Sequence, residues 1–414
     1  DGSFRVELME FSSRFFFAQP NLFDRHSHYY GEALGWKSVC AARGITARFY
    51  IHAQAGGDIV AELDARPTFP HHSDTRFDSD PLSQSLANFI KGSESFAAAY
   101  EQFERDGIGA GEAVIVTYAS ERDLYGAARW LARLPPARRP SFVFIFHAPD
   151  FSWTLDAAGE NLGGDFSRWR FAIREIKAVL PPEKVVLLAT SAALANALTG
   201  LLEHPCTHGC SPKFYIDEAV LAPIAANLPR VNLRMAGEFR AERGAELVTS
   251  VIRRVAMARP GTVFGLQVTD EAVARQVGQE LSALAQHQSR CYIEYGNATH
   301  PAYQARLKQS DVVFMPYQAH RYTFRASGVF AEASAFGIVT VVPDRTWMSE
   351  QLAAGLGAGT VFRDWSVDAI AQACLEALAQ YPNLVQRAQS GIAEWRRRNS
   401  TATMLDKILA RLPG

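Results

Sequence analysis

The chain has 414 residues, 48% of them hydrophobic, and a formal net charge of -1. That length exceeds one ordinary core and fits two domains. Near-neutrality argues against nucleic acid as a partner, and no apolar run reaches the ~20 residues that span a bilayer.

Five cysteines, Cys40, Cys206, Cys210, Cys291 and Cys374, are odd in number and scattered. That pattern argues against a disulfide framework and for a reducing, cytoplasmic compartment. Asp1 stands where an initiator Met would, which leaves the natural start and any removed targeting segment open.

Taken in order, Arg14–Ala18 reads as a strand, Asn21–Tyr30 as a polar loop and His28–Arg43 as a helix. Ala47–Ala53 is the next strand. From Asp58 to about Ser95 the periodicity fades around Pro67, Pro70 and several His and Asp residues, which predicts an irregular insertion. Strands follow at Ala113–Tyr118, Ser141–His147 and Lys184–Ala189, with helices at Leu124–Leu134, Asp165–Leu180 and Ala192–Leu202. The second half repeats the rhythm. Strands are expected at Asn232–Ala236, Thr262–Gln267, Cys291–Tyr295, Asp311–Met315 and Ile338–Val342. Helices are expected at Ala245–Ala258, Glu271–His287, Ala302–Gln309, Ser327–Phe336, Val367–Gln380 and Asn383–Leu412.

Strands separated by helices of ten or more residues imply parallel sheets covered on both faces. Two such runs predict an α/β chain of two Rossmann-like domains, with the boundary near Ala222–Pro229. The expected domains are 1–222 and 223–385, with a terminal helical segment 386–414. Ligands of such sheets bind beyond the carboxyl ends of the strands.

Four groups of residues carry candidate chemistry. His204-Pro-Cys206-Thr-His208-Gly-Cys210 offers two His and two Cys, but lacks the distant second half of a zinc site. It reads as a surface loop, and no metal is expected. Gly237-Glu-Phe-Arg240-Ala-Glu-Arg243-Gly244 lies between a strand and a helix. Its glycines let backbone approach a ligand, and its arginines suit an anion. The same arginines are equally suited to pairing with Glu238 and Glu242. In Asp311–Pro343, Ser327 is a favoured N-cap and Gly328 leaves first-turn amides open, the pattern of a phosphate-binding helix start. Glu332 follows one turn later among small residues, where a carboxylate without a task would be costly. The fourth group is His147 at a strand end, a ligand-facing group or simply a hydrogen-bonded residue.

From Asn232 to Ala379 these blocks, in this order, resemble the C-terminal domain of GT4-like, GT-B-fold glycosyltransferases (group 1). The resemblance implies two Rossmann-like domains facing across a cleft, and a C-terminal helix, 386–414, returning to the N-terminal domain. It implies a retaining, metal-independent transferase, hexosyltransferase in type. The donor would be a UDP- or GDP-sugar and the acceptor a saccharide or lipid-linked saccharide, in bacterial polysaccharide or glycoconjugate synthesis. Carried over by position, Gly237, Arg240, Arg243, Ser327, Gly328 and Val329 would hold the donor diphosphate. Arg240, Arg243 and His147 would serve catalysis, and Glu332, the second member of the family's glutamate pair, would bind ribose. The first member's place is taken by Phe324, so Tyr317, Tyr322, Arg325 and Tyr295 become candidates for the sugar or base.

The N-terminal half resembles the family more loosely. His147 falls where members place a histidine near the transferred sugar. Asn21, His26, His28 and Asp150 are acceptor candidates, and His71 and His72 read as solvated. The segments Arg14–Phe23 and Trp395–Arg398 are candidates for peripheral membrane contact, or else a core strand and a final-helix surface. Rivals to the transferase are an epimerase or phosphorylase-like enzyme of the same fold, and a nucleotide-sugar-binding protein without transfer activity.

Overall fold

The computed structural model describes residues 14–26, 28–77, 86–148, 154–155, 162–212 and 218–413. The chain divides into two compact units, Asp1–Pro212 with Thr401–Gly414, and Lys213–Ser400.

The first unit contains β1 (Arg14–Gln19), β2 (Thr46–His52), β3 (Arg66–Phe69), β4 (Ala113–Val116) and β5 (Ser141–Phe146). A short antiparallel pair follows, β6 (Thr154–Leu155) and β7 (Leu162–Gly163), then β8 (Val185–Ala189) and β9 (Cys206–His208). Seven strands form one parallel sheet in the order β3-β2-β1-β4-β5-β8-β9. The apolar run of β1 explains its central place, because it is buried on both faces. Phe17 packs on Phe49 at 5.0 Å and Trp36 at 5.3 Å, while Phe16 stacks on Tyr50 at 5.8 Å. Such aromatic pairs add about 0.5–1.5 kcal/mol each beyond the area they bury. The helix Thr401–Leu409 closes this core with Met404, Leu405 and Ile408.

Three expectations need correction here. The stretch from Asp58 to Ser95 is largely regular, with helices Gly57–Leu63 and Leu86–Arg105 flanking β3. Pro67 is tolerated because β3 is an edge strand, which need not donate on its outer side. The Cys206–His208 segment is the opposite edge strand, not a surface loop. Cys206 and Cys210 are buried, and His204 Nε2 lies 2.8 Å from the Val185 carbonyl oxygen. Among the described residues, no three His, Cys, Asp or Glu side chains are grouped to hold a metal ion. The expected helix Asn383–Leu412 is three helices, Tyr381–Ser390, Ile392–Arg398 and Thr401–Leu409, with Gly391 at the first break.

The second unit contains β10 (Val231–Met235), β11 (Val263–Val268), β12 (Arg290–Tyr295), β13 (Ser310–Phe314), β14 (Val339–Pro343) and β15 (Gly359–Phe362). Its parallel sheet runs β12-β11-β10-β13-β14-β15. Ala222 lies inside a helix, Glu218–Ala225. Asp311 clamps the start of the sheet, accepting from Arg230 Nε at 2.8 Å and Asn232 Nδ2 at 2.9 Å. Arg234 is buried on β10, donating to Glu294 at 2.7 Å and Ser310 at 2.8 Å. Gly265, its register partner on β11, leaves the space the guanidinium fills.

Candidate functional site

The second unit gathers most of the predicted donor residues just past β10 and β13. Gly237 has φ +87°, and a Cβ there would stand 2.6 Å from an Arg243 nitrogen and 3.2 Å from Val329. Gly244 has φ +74°, and a Cβ there would stand 2.2 Å from the Pro316 carbonyl oxygen. Trp365 Nε1 donates to that same carbonyl at 2.8 Å. Backbone angle favours glycine at both positions, and at Gly244 space requires it as well. They seat the loop against the segment after β13 and the start of helix Gly328–Ala335.

Arg243 leans over the Tyr317 ring at 5.8 Å, and Tyr317 stacks on Tyr322 at 4.5 Å. Arg325 covers Tyr322 at 5.7 Å. Arg243 is half-buried, its Nε has no hydrogen-bond partner, and it forms no ion pair among the described residues. Burial works against its charge. Tyr317, Tyr322 and, less strongly, Glu238 favour it, and its pKa ends above the ordinary guanidinium value. A partly buried cation with no ion pair of its own, in the loop just past β10, is suited to an anion.

Arg240 behaves differently. Its side chain is 52% exposed and pairs with Glu238, with Glu242 at 3.8 Å. Arg240 is thus paired with its neighbouring glutamates, whereas Arg243 forms no ion pair among the described residues.

Ser327 caps helix Gly328–Ala335, accepting from Phe330 N at 3.2 Å, and is itself buried. Gly328 is the first helical residue and Val329 the second. Phe324 is buried in the place where a sugar-contacting carboxylate was sought. Tyr295 is 59% exposed at the end of edge strand β12.

Glu332 is buried, but it is not the lone carboxylate expected. Its Oε1 accepts from His300 Nε2 at 2.9 Å and from Gln304 Nε2 at 3.1 Å. Burial of this carboxylate is therefore satisfied within the protein. Sequence reasoning missed His300, Tyr303 and Gln304. Their i, i+3, i+4 spacing on one helix was the available signal.

In the first unit the strand ends carry rings. His147 stacks on Tyr118 with centroids 3.9 Å apart and planes 11° apart. Tyr118 meets Tyr29 at 4.6 Å and His28 at 5.6 Å, and its hydroxyl donates to the buried Glu32 at 3.1 Å. Asn21 holds a neighbouring loop, donating to Ser73 Oγ at 2.8 Å and accepting from Ser73 N at 2.9 Å. His26 is exposed, and Asp150 lies outside the described residues. His72 is not simply solvated: it stacks on His52 at 4.5 Å and meets Phe23 edge-on at 5.0 Å.

Two further features lie away from these groups. A groove of about 600 Å³ runs along β15, lined by Arg345, Glu350, Val361 and Arg387 among others, and no predicted donor residue lines it. Trp395 is fully buried, and Arg397 and Arg398 pair with Glu394 at 2.7 and 2.5 Å. No described helix is long and apolar enough to cross a membrane.

No family model matches the chain, and no curated protein matches it in sequence. Solved structures do. A glycosyltransferase from Rickettsia africae superimposes with a TM-score of 0.61 at 12% identity, over 97% of this chain and 98% of its own. The Anabaena protein HepE, solved with UDP and glucose, gives 0.59 at 12% identity over 96% and 98%. Sucrose-phosphate synthase from Thermosynechococcus elongatus gives 0.58 at 15% identity over 95% and 98%. At such identities the likeness speaks for architecture alone, and over nearly the full length of each chain that architecture is the GT-B fold.

Proposed function

We propose that the chain is a retaining, metal-independent glycosyltransferase that takes a sugar from a nucleoside diphosphate and passes it to a saccharide or lipid-linked saccharide acceptor. The observation that carries this is Arg243, a half-buried cation with no ion pair, beside the capped start of helix Gly328–Ala335. The neighbour HepE, solved with UDP-glucose, supports a nucleotide-sugar donor.

In the proposed reaction the bond between the sugar's anomeric carbon and the diphosphate oxygen breaks. Negative charge grows on that oxygen while the sugar becomes oxocarbenium-like. Arg243 and the first-turn amides at Gly328 and Val329 meet that charge, which is the role a metal ion would otherwise fill. The acceptor hydroxyl bonds to the anomeric carbon from the face the diphosphate leaves, and its proton passes to the departing phosphate. Configuration is retained without a carboxylate nucleophile. Glu332 is assigned to the ribose, and Tyr317, Tyr322 and Arg325 to the sugar or base. His147 is assigned a place near the transferred sugar, Asn21, His26 and His28 belong to the acceptor side, and the product to polysaccharide or glycoconjugate synthesis.

A melting-temperature screen against UDP, GDP, ADP and their common sugars tests the donor assignment, because a ligand of the native state raises the transition. A rise with one nucleoside diphosphate, and release of that diphosphate from its sugar, is the expected result. No rise with any of them would sink the proposal. A second reading, a binding protein without transfer, draws on the Arg240–Glu238 pair, which removes one cation from the loop. Sugar transfer or donor hydrolysis by the purified chain rules it out.

A further inference from the structure

Helix His300–Lys308 directs side chains from successive turns at one carboxylate. His300 and Glu332 are 8% and 6% exposed, and Gln304 is fully buried. His300 Nε2 and Gln304 Nε2 stand 3.2 Å from each other and 2.9 and 3.1 Å from Glu332 Oε1. That is the geometry of two donors converging on one oxygen, so His300 carries a proton on Nε2. The Tyr303 hydroxyl also bonds Glu332, and burial followed by Glu332 and Tyr317 pushes its pKa well above the ordinary phenol value.

Such a cradle has a physical purpose. The terminal torsion of a glutamate is broad, so rotamer preference does not fix the carboxylate plane. Fixed donors from a neighbouring helix do. A carboxylate already oriented spends less ordering free energy when a ligand hydroxyl arrives. His300 makes a shorter contact than Gln304, 2.9 Å against 3.1 Å, and its ring has few torsions of its own.

We infer that His300 is a positioning residue. With Tyr303 and Gln304 it presets Glu332, and so sets how strongly the chain distinguishes a ribonucleotide from its 2′-deoxy counterpart. The inference rests on the assignment of Glu332 to ribose made above.

Calorimetric titration of the full chain with UDP, GDP and ADP, and with dUDP, dGDP and dADP, tests it. Wild type should prefer the ribonucleotide by about tenfold or more, as expected for one hydrogen bond to a charged group. In His300→Ala that preference should fall to about twofold, with affinity for the deoxynucleotide unchanged within about twofold. His300→Gln, which keeps a donor, should recover most of the preference and show that the loss is not one of folding. An unchanged preference in His300→Ala overturns the inference while leaving the donor assignment intact. So does an equal loss for both nucleotides. Failure of wild type to bind any nucleoside diphosphate overturns the donor assignment itself, and the inference with it.

Discussion

Beyond the strands of the second unit charged groups accompany the rings: Arg243 and Arg325 over the stacked Tyr317 and Tyr322, and Glu332 held by His300 and Gln304. Beyond the strands of the first unit the side chains are mostly rings, His147 on Tyr118 and Tyr118 against Tyr29 and His28. The same sheet architecture thus presents two kinds of surface. A partly desolvated cation selects for charge, since exchanging water for an anion strengthens the interaction. A ladder of rings selects for flat or C–H-bearing faces and is indifferent to charge. The contrast matches the proposed division of labour between a diphosphate donor and a hydroxylated acceptor.

The largest expected break in that contrast comes from the second unit. Arg243→Ala should lower donor turnover by about 10²–10³-fold, the usual loss on removing one preorganised charge donor. Circular dichroism should show the variant folded, and an active Arg243→Ala enzyme would refute the diphosphate role. Arg243→Lys restores charge without the planar fork and should recover only part of the loss.

In the first unit, His147→Ala should lower turnover about tenfold, equivalent to roughly one aromatic pair. His147→Phe keeps the stack on Tyr118. Full recovery in that variant would reduce His147 to a packing residue, whereas continued loss points to its imidazole.

A third prediction concerns how each unit treats a buried carboxylate. Glu332 is cradled, but Asp123, at the start of helix Glu121–Leu131, has its pKa pushed up to about 7 by burial, against the opposing bonds from Ser120. The folded state then binds this proton more tightly than the unfolded chain does. Its stabilising effect is full at low pH and is lost as pH rises from about 4 toward 7, by at most about 1.4 kcal/mol per pH unit. Urea unfolding of the first unit should therefore show a falling midpoint from pH 5 to 7, and Asp123→Asn should flatten it. An identical pH slope in the variant would mean another group is responsible. The smallest effect is expected at Arg240. It is exposed and paired with Glu238, so Arg240→Ala should change turnover by less than about threefold. A larger loss would show that the pair opens when donor binds.

The alternating strands and helices were legible because parallel strands buried on both faces leave continuous apolar runs such as Phe142–Phe146. Helix Leu86–Arg105 was not, because a polar, proline-containing stretch precedes it and its Gly92 and Ser93 weaken the pattern. Gly92 is there for space, since a Cβ would stand 2.6 Å from the Arg122 side chain. At the candidate site, the cap at Ser327 and the burial of Glu332 follow from local sequence. The cradle does not, since it joins helices about thirty residues apart and depends on how they pack. The split between Arg240 and Arg243 is likewise a matter of three dimensions. Two arginines three residues apart read alike until one is placed over Tyr317 and the other beside Glu238.

Gly244 bears on how this region tolerates change. Its α-carbon and the Trp365 indole close on a single carbonyl, that of Pro316, which directly precedes the tyrosine under Arg243. Nothing wider than a hydrogen fits there, so the height of the guanidinium above Tyr317 is set by a backbone-to-backbone stop. A mutational scan across the loop should accordingly read as a step at Gly244, with alanine already on the far side, where Glu238, Arg240 and Glu242 give a gentle slope.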